Sequence, residues 1–102
     1  MKPRYVLAPQ ATLDLVEIWR YINGRSTLAM ADRVESVIRE KFALLAANPE
    51  AGHRRTGLTG ENVKFFPVYS YLIVYRSETK PLQIVSILHG RRDVEQLLKE
   101  RL

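Results

Sequence analysis

Cysteine is absent from the 102-residue sequence, which excludes a disulfide framework, a thiolate zinc site and a cysteine nucleophile at one stroke. Nothing points to an oxidising compartment, so the cytoplasm is the expected location. Long hydrophobic runs are lacking too. The longest, Val68 to Tyr75, falls far short of the ~20 residues a membrane helix needs, and Met1-Lys2-Pro3-Arg4 leads into a predicted strand instead of the apolar core of a signal peptide. Histidine is scarce: His53 and His89 are the only two, without the i, i+4 spacing that would let them share a metal. Glycine-rich phosphate loops, a G-x-S-x-G elbow and H-E-x-x-H are all missing. No metal and no cofactor are therefore expected.

What is present is an ordinary globular composition, 46% hydrophobic and 26% charged. A chain of this size buries roughly two thirds of its unfolded surface, sufficient for one independent domain and too little for two. The balance is basic, with 16 Lys plus Arg against 11 Asp plus Glu, and arginine supplies 11 of the 16. Guanidinium forks suit carboxylates and phosphates, so acidic protein segments or nucleic acid are the expected partners.

Arg4 to Ala8 reads as a short strand ended by Pro9, which then suits the first turn of a helix. Ala11, Leu15, Ile18, Trp19 and Ile22 form one apolar stripe at helical spacing, so a helix is predicted from Pro9 to Ile22, stopped by Asn23-Gly24. Ser26 or Thr27 caps a second helix, whose stripe Val34, Val37, Ile38, Phe42 and Leu45 continues to the breaker Asn48-Pro49. The short link predicts an antiparallel helical hairpin. Pro49 to Gly60, with three glycines and two threonines, reads as a loop. Three β-rich runs follow, Asn62 to Phe66, Tyr69 to Arg76 and Leu82 to His89, predicting an antiparallel meander in which Tyr71 to Tyr75 is central and its second face only partly shielded. Gly90 ends the last strand, and Asp93 caps a closing helix with Gln96 at the capping-box position. The fold class is α+β, a helical hairpin on a small, mostly antiparallel sheet, in the order β-α-α-β-β-β-α and with the helices in one layer.

The densest polar cluster is His89-Gly90-Arg91-Arg92-Asp93, where the last strand leaves the sheet. Gly90 makes a turn and Asp93 caps a helix, leaving His89, Arg91 and Arg92 as candidate anion-binding groups. In a meander Arg76 lies at the opposite end of the sheet, and the loop carrying Arg54 and Arg55 is expected to come down beside it as a second basic cluster. Trp19, Phe42, Phe65 and the tyrosines from Tyr69 to Tyr75 are expected to pack the core instead of stacking on bases.

Several stretches, taken in order, carry a resemblance. They are Leu7-Ala8-Pro9 leading to Asp14-Leu15 and Ile18-Trp19-Arg20-Tyr21-Ile22, then Asn48-Pro49 with Gly52, then Tyr71-Leu72-Ile73-Val74-Tyr75-Arg76, and finally Ile87 to Asp93. Over nearly the whole chain this pattern resembles the ParE/RelE toxin superfamily of type II toxin–antitoxin systems, and the closing H-G-R-R-D resembles the ParE branch. The resemblance implies a toxin neutralised by a cognate, ParD-like antitoxin that folds over the helical hairpin, with Leu15, Ile18, Trp19, Ile22, Val34 and Ile38 as the expected antitoxin-facing residues, in a toxin–antitoxin hetero-oligomer. It also implies a target, DNA gyrase for ParE-like members or ribosome-bound messenger RNA for RelE-like ones. RelE-like enzymes cut RNA with lysines, arginines and a C-terminal tyrosine. Laid on this chain, that pattern puts the lysines at Val63 and Phe65, a strand arginine at Leu72 and the tyrosine near Leu98; only Arg92 matches, and Lys64 falls one residue off, on the opposite strand face. The expectation is a gyrase inhibitor acting by binding, without catalytic residues, through His89, Arg91, Arg92, Arg76, Arg54 and Arg55.

Overall fold

In the computed structural model, which describes residues 4–90 and 93–102, the elements follow the expected order. They are β1 (Tyr5–Leu7), α1 (Pro9–Arg25), α2 (Leu28–Ala47), a 3-10 turn at Pro49–Ala51, β2 (Lys64–Val68), β3 (Tyr71–Arg76), β4 (Leu82–His89) and α3 (Val94–Arg101). The strands lie in the order β1-β4-β3-β2. β2, β3 and β4 form the antiparallel meander, and β1 adds a short parallel edge through Tyr5, Val6 and Leu7 opposite Leu82, Gln83 and Ile84.

Several boundaries differ from the expectation, and three of them shape the connections. Helix α1 runs through Asn23-Gly24 to Arg25, because an exposed glycine costs a helix only about 1 kcal/mol and the next turn still closes with Ser26 N–H on Ile22 O. The hairpin link is therefore Ser26-Thr27, and the Thr27 hydroxyl caps α2 by accepting from Met30 N–H at 3.0 Å. Strand β2 takes in Pro67 and Val68, since proline is tolerated at an edge. The β2–β3 turn is then Tyr69-Ser70, and β3 begins at Tyr71. At the far end Asp93 Oδ1 accepts from Gln96 N–H at 3.1 Å, the expected cap of α3.

Both faces of the sheet are covered. The apolar stripes of α1 and α2 (Ala11, Leu15, Ile18, Val34, Ile38, Phe42, Leu45) close over Ile73, Tyr75, Leu82, Ile84 and Ile87. The alternate strand residues Phe65, Leu72, Val74, Val85 and Leu88 form a second cluster with Val63, and α3 seals it with Val94 and Leu98. Hence β3 is buried on both sides, fuller burial than its sequence was read to imply, and the closing helix lies on the face opposite the hairpin instead of in one helical layer. Alternation along the strand makes this possible, because residues one apart point to opposite faces.

Candidate interaction surfaces

The hairpin's apolar stripe faces the sheet, which corrects most of the expected antitoxin surface. Leu15, Ile18, Val34 and Ile38 are buried in the first cluster, and Ile22 packs against its margin. A stripe at helical spacing is consumed by the nearest apolar surface, here the sheet of the same chain. Of the six residues, Trp19 alone reaches outward: it is half-buried, donates from Nε1 to Asp32 Oδ1 at 2.8 Å, and lines a groove between α1 and α2 of about 250 Å³ with Val16, Arg20 and Arg39. Beside that groove Leu13 is 56% and Val16 41% exposed, and Leu28 and Met30 lie open at the start of α2. The sequence did hold a signal for them. Leu13 and Val16 are apolar but fall off the buried stripe, so no helical rotation hides both sets.

The four described candidate target-binding residues divide between the two ends of the sheet. At one end His89, the last residue of β4, is half-buried and meets the Tyr71 ring edge-on with centroids 5.4 Å apart. Arg91 and Arg92 lie outside the described residues. At the other end Arg76 finishes β3. The 53–55 segment comes to the same end: His53 exchanges backbone hydrogen bonds with Phe65 (2.9 and 2.7 Å), Arg55 lies over the Phe65 ring at 5.9 Å, and Arg54 donates to Asn62 Oδ1. By alternation Arg76 shares the sheet face of Leu72, Val74 and Phe65. Among the described residues Arg54, Arg55 and Arg76 have no carboxylate partner, so this end carries a cationic face.

A buried polar node escaped the sequence reading. Asp14 is 4% exposed and accepts from Gln10 Nε2 (3.0 Å), Ser86 Oγ (2.7 Å), Ile87 N–H (2.9 Å) and Arg101 Nη1 (3.1 Å). Arg101 Nη1 also donates to Ser86 Oγ at 2.6 Å. Strand β1 stops opposite Ile84, so beyond that point β4 has no strand neighbour on this side and its Ile87 amide needs another acceptor. Asp14 supplies it, and Arg101 crosses from α3 to neutralise the carboxylate. The signal was present here as well: Asp14 falls at i+3 of the stripe that begins at Ala11, a polar residue in a buried position.

Next to this node a groove of about 360 Å³ runs between α1 and α3 over β4, lined by Glu17, Ile18, Tyr21, Ile87 and Leu97 among others. The opposite sheet edge is closed. On β2 the outward groups of Phe65 are taken by His53, and the next outward residue, Pro67, has no N–H to offer. A second buried hydroxyl locks the 3-10 turn: Tyr75 Oη accepts from Gly52 N–H (2.8 Å) and donates to Pro49 O (2.7 Å). A Cβ on Gly52 would stand 2.5 Å from that oxygen, so only glycine fits. Burial is the main influence pushing the Tyr75 pKa up; the Gly52 hydrogen bond opposes it and the Glu50 charge adds to it.

Residues 5–94 match the model of the ParE toxin of the type II toxin–antitoxin system parDE. The chain belongs to the ParE toxin family. A solved structure described as a chromosomal ParDE toxin–antitoxin system from P. aeruginosa superposes with a TM-score of 0.72 at 18% identity, covering 86% of this chain and 96% of that one. No curated protein is significantly similar in sequence. In this ParE-family toxin the positions onto which the RNA-cleaving pattern falls, Val63, Phe65, Leu72 and Leu98, are all buried in the cluster beneath α3. Lys64 points away from them and pairs with Glu50. No helix among the described residues is long and apolar enough to cross a membrane.

Proposed function

We propose that this ParE-family toxin inhibits DNA gyrase by binding it and is neutralised by a cognate, ParD-like antitoxin. One observation carries the preference for binding over RNA cleavage. Val63, Phe65, Leu72 and Leu98 are apolar, mutually packed and sealed by α3, so those four positions offer no group to activate a 2′-hydroxyl, hold a phosphate or protonate a leaving oxygen. The target would meet the end of the sheet at His89, from which the sequence continues into Arg91 and Arg92, together with α3, while Arg54, Arg55 and Arg76 form a separate cationic face.

The antitoxin would take two surfaces. Its apolar residues fit the outer hairpin groove at Leu13, Val16 and Trp19, and an extended stretch fits the groove between α1 and α3 over β4. Acidic side chains of the antitoxin would complement the net charge of +5, giving a hetero-oligomer in the cytoplasm, where gyrase is found.

Purified toxin added in parallel to a gyrase supercoiling reaction and to a translation reaction tests the target. Lost supercoiling with intact message, restored by the product of the adjacent reading frame, is the expected result. Cleaved message with unaffected supercoiling overturns the proposal in favour of a ribosome-dependent ribonuclease.

A further inference from the structure

The end of the sheet that carries Arg76 holds more cations than the sequence reading placed there. β1, β2 and β4 start at this end and β3 finishes at it. Arg4 precedes β1, whose Tyr5 is level with Leu82, so Arg4 comes to the start of β4, where Lys80 stands. Arg76 is level with Gln83 of β4, and the bridge from His53 to Phe65 brings Arg54 and Arg55 alongside the start of β2. The cations therefore follow the strand order, Arg4, Lys80, Arg76, then Arg54 and Arg55, across the whole width of the sheet. Four spacings of about 4.8 Å make this row about 19 Å long.

Its charge is left uncompensated. Arg4, Arg54, Arg55 and Lys80 are exposed and Arg76 is half-buried, and among the described residues none of the five pairs with a carboxylate. Glu61 and Glu78 flank the row, while Glu50 is taken by Lys64. Two of the guanidiniums are steadied by neutral groups that leave the charge in place, Arg55 by the Phe65 ring at 5.9 Å and Arg54 by Asn62 Oδ1. The exposed aromatic rings among the described residues lie elsewhere. Tyr21 lines the groove that reaches His89, and Tyr69, 58% exposed where core packing was expected, sits in the turn whose Ser70 O accepts from Gly90 N–H.

We infer that this end of the sheet is a binding site for the phosphate backbone of duplex DNA, held without regard to sequence. One strand of a duplex presents a phosphate every 3.4 Å or so along its axis, so a row of this length faces about five of them. Without an exposed ring, the row has neither a platform for unpaired bases nor an aromatic anchor for a pocket on a protein. An acidic stretch of the antitoxin fits less well, because neither groove assigned to the antitoxin is lined by any of the five cations. The site lies at the far end of the sheet from His89, so the toxin can hold DNA and a protein target at once. The inference goes beyond the gyrase reading and does not depend on it.

Fluorescence anisotropy with full-length toxin and a labelled random-sequence duplex, repeated from about 50 to 200 mM salt, tests this site. Wild type should bind with an affinity that falls steeply as salt rises, with a log–log slope of about −0.9 for each phosphate neutralised. Arg54→Gln combined with Arg76→Gln should flatten the slope by roughly 1.8 and weaken binding at the lowest salt at least about tenfold. Arg54→Lys with Arg76→Lys should keep most of the affinity. Arg25→Gln with Arg33→Gln removes the same charge from the hairpin and should leave the slope unchanged. Equal losses from both glutamine pairs would reduce the effect to net charge and overturn the inference. So would a wild type that ignores the duplex at low salt, tighter binding to a single strand, or a stripe pair that loses antitoxin affinity and keeps DNA affinity. Two further arms identify the source of the DNA. A higher dose of the stripe pair for blocking supercoiling assigns the site to DNA held by the target, whereas weaker binding of the toxin–antitoxin complex to its own promoter assigns it to operator DNA; either supports the site. A wild type that binds the duplex and leaves supercoiling intact defeats the gyrase reading alone.

Discussion

The two faces of the sheet are covered in different ways. Over one face lie the 17-residue α1 and the 20-residue α2, whose stripes merge with the strands into a single apolar cluster. Over the other lies α3, eight residues long, too short to be stable by itself. It is held by Val94 and Leu98 below and by one buried ion pair from Arg101 to Asp14 at its end. The first face is secured by periodicity that any amphipathic helix would carry. The second depends on a polar contact between residues 87 positions apart, which links α1, β4 and α3 into one unit.

Substitutions separate the two faces, beginning with the largest effect. Phe42→Ala, under the hairpin, should cost about 3–5 kcal/mol, read as a lower urea midpoint for the whole molecule. Arg101→Ala leaves the Asp14 carboxylate buried without its cation and should cost about 3 kcal/mol. The comparison is sharpened by hydrogen exchange, in which α3 amides should lose protection first. Equal loss across the hairpin would show that the two faces do not differ in this way.

Tyr75→Phe removes the hydroxyl shared by Gly52 and Pro49 and should cost about 1–3 kcal/mol, because a buried amide and carbonyl lose their partner. This residue also sets an alkaline limit. Its folded pKa is raised above the ordinary 10.0, so the unfolded chain releases the proton first. The contribution is complete below about pH 10 and is lost as pH climbs through the raised value. Wild type should therefore lose stability in that window more steeply than Tyr75→Phe, as followed by denaturant titration at each pH.

The smallest change in stability should come from Val16→Asp on the outer hairpin surface, within about 0.5 kcal/mol. Antitoxin affinity should nevertheless fall by more than tenfold, about 1.4 kcal/mol, by isothermal titration. Ile38→Val, on the inner stripe, should reverse the pattern, lowering stability by about 1 kcal/mol and leaving the affinity alone.

Periodicity, breakers and caps were local, and they made most of the fold legible. The α1 and α2 stripes, the Thr27 and Asp93 caps, the three runs of the meander and the full extent of β4 all follow from residues close in sequence. The interaction surfaces were less legible for a physical reason. An apolar stripe looks the same whether its own sheet or another protein covers it, so Leu15, Ile18, Val34 and Ile38 read as docking residues until the sheet was seen to occupy them. Nothing local in the sequence joins Asp14 to Arg101, which folding brings to 3.1 Å.

By itself, then, the sequence determined the order of elements, the family pattern and the absence of thiol chemistry, because these depend on composition and on spacings of a few residues. The tertiary structure alone decided which apolar residues remain outside, that α3 takes the opposite face, and that Asp14 meets Arg101 across the fold. Each of those outcomes depends on which distant surfaces compete for the same side chain, and that competition is settled only when the chain closes on itself.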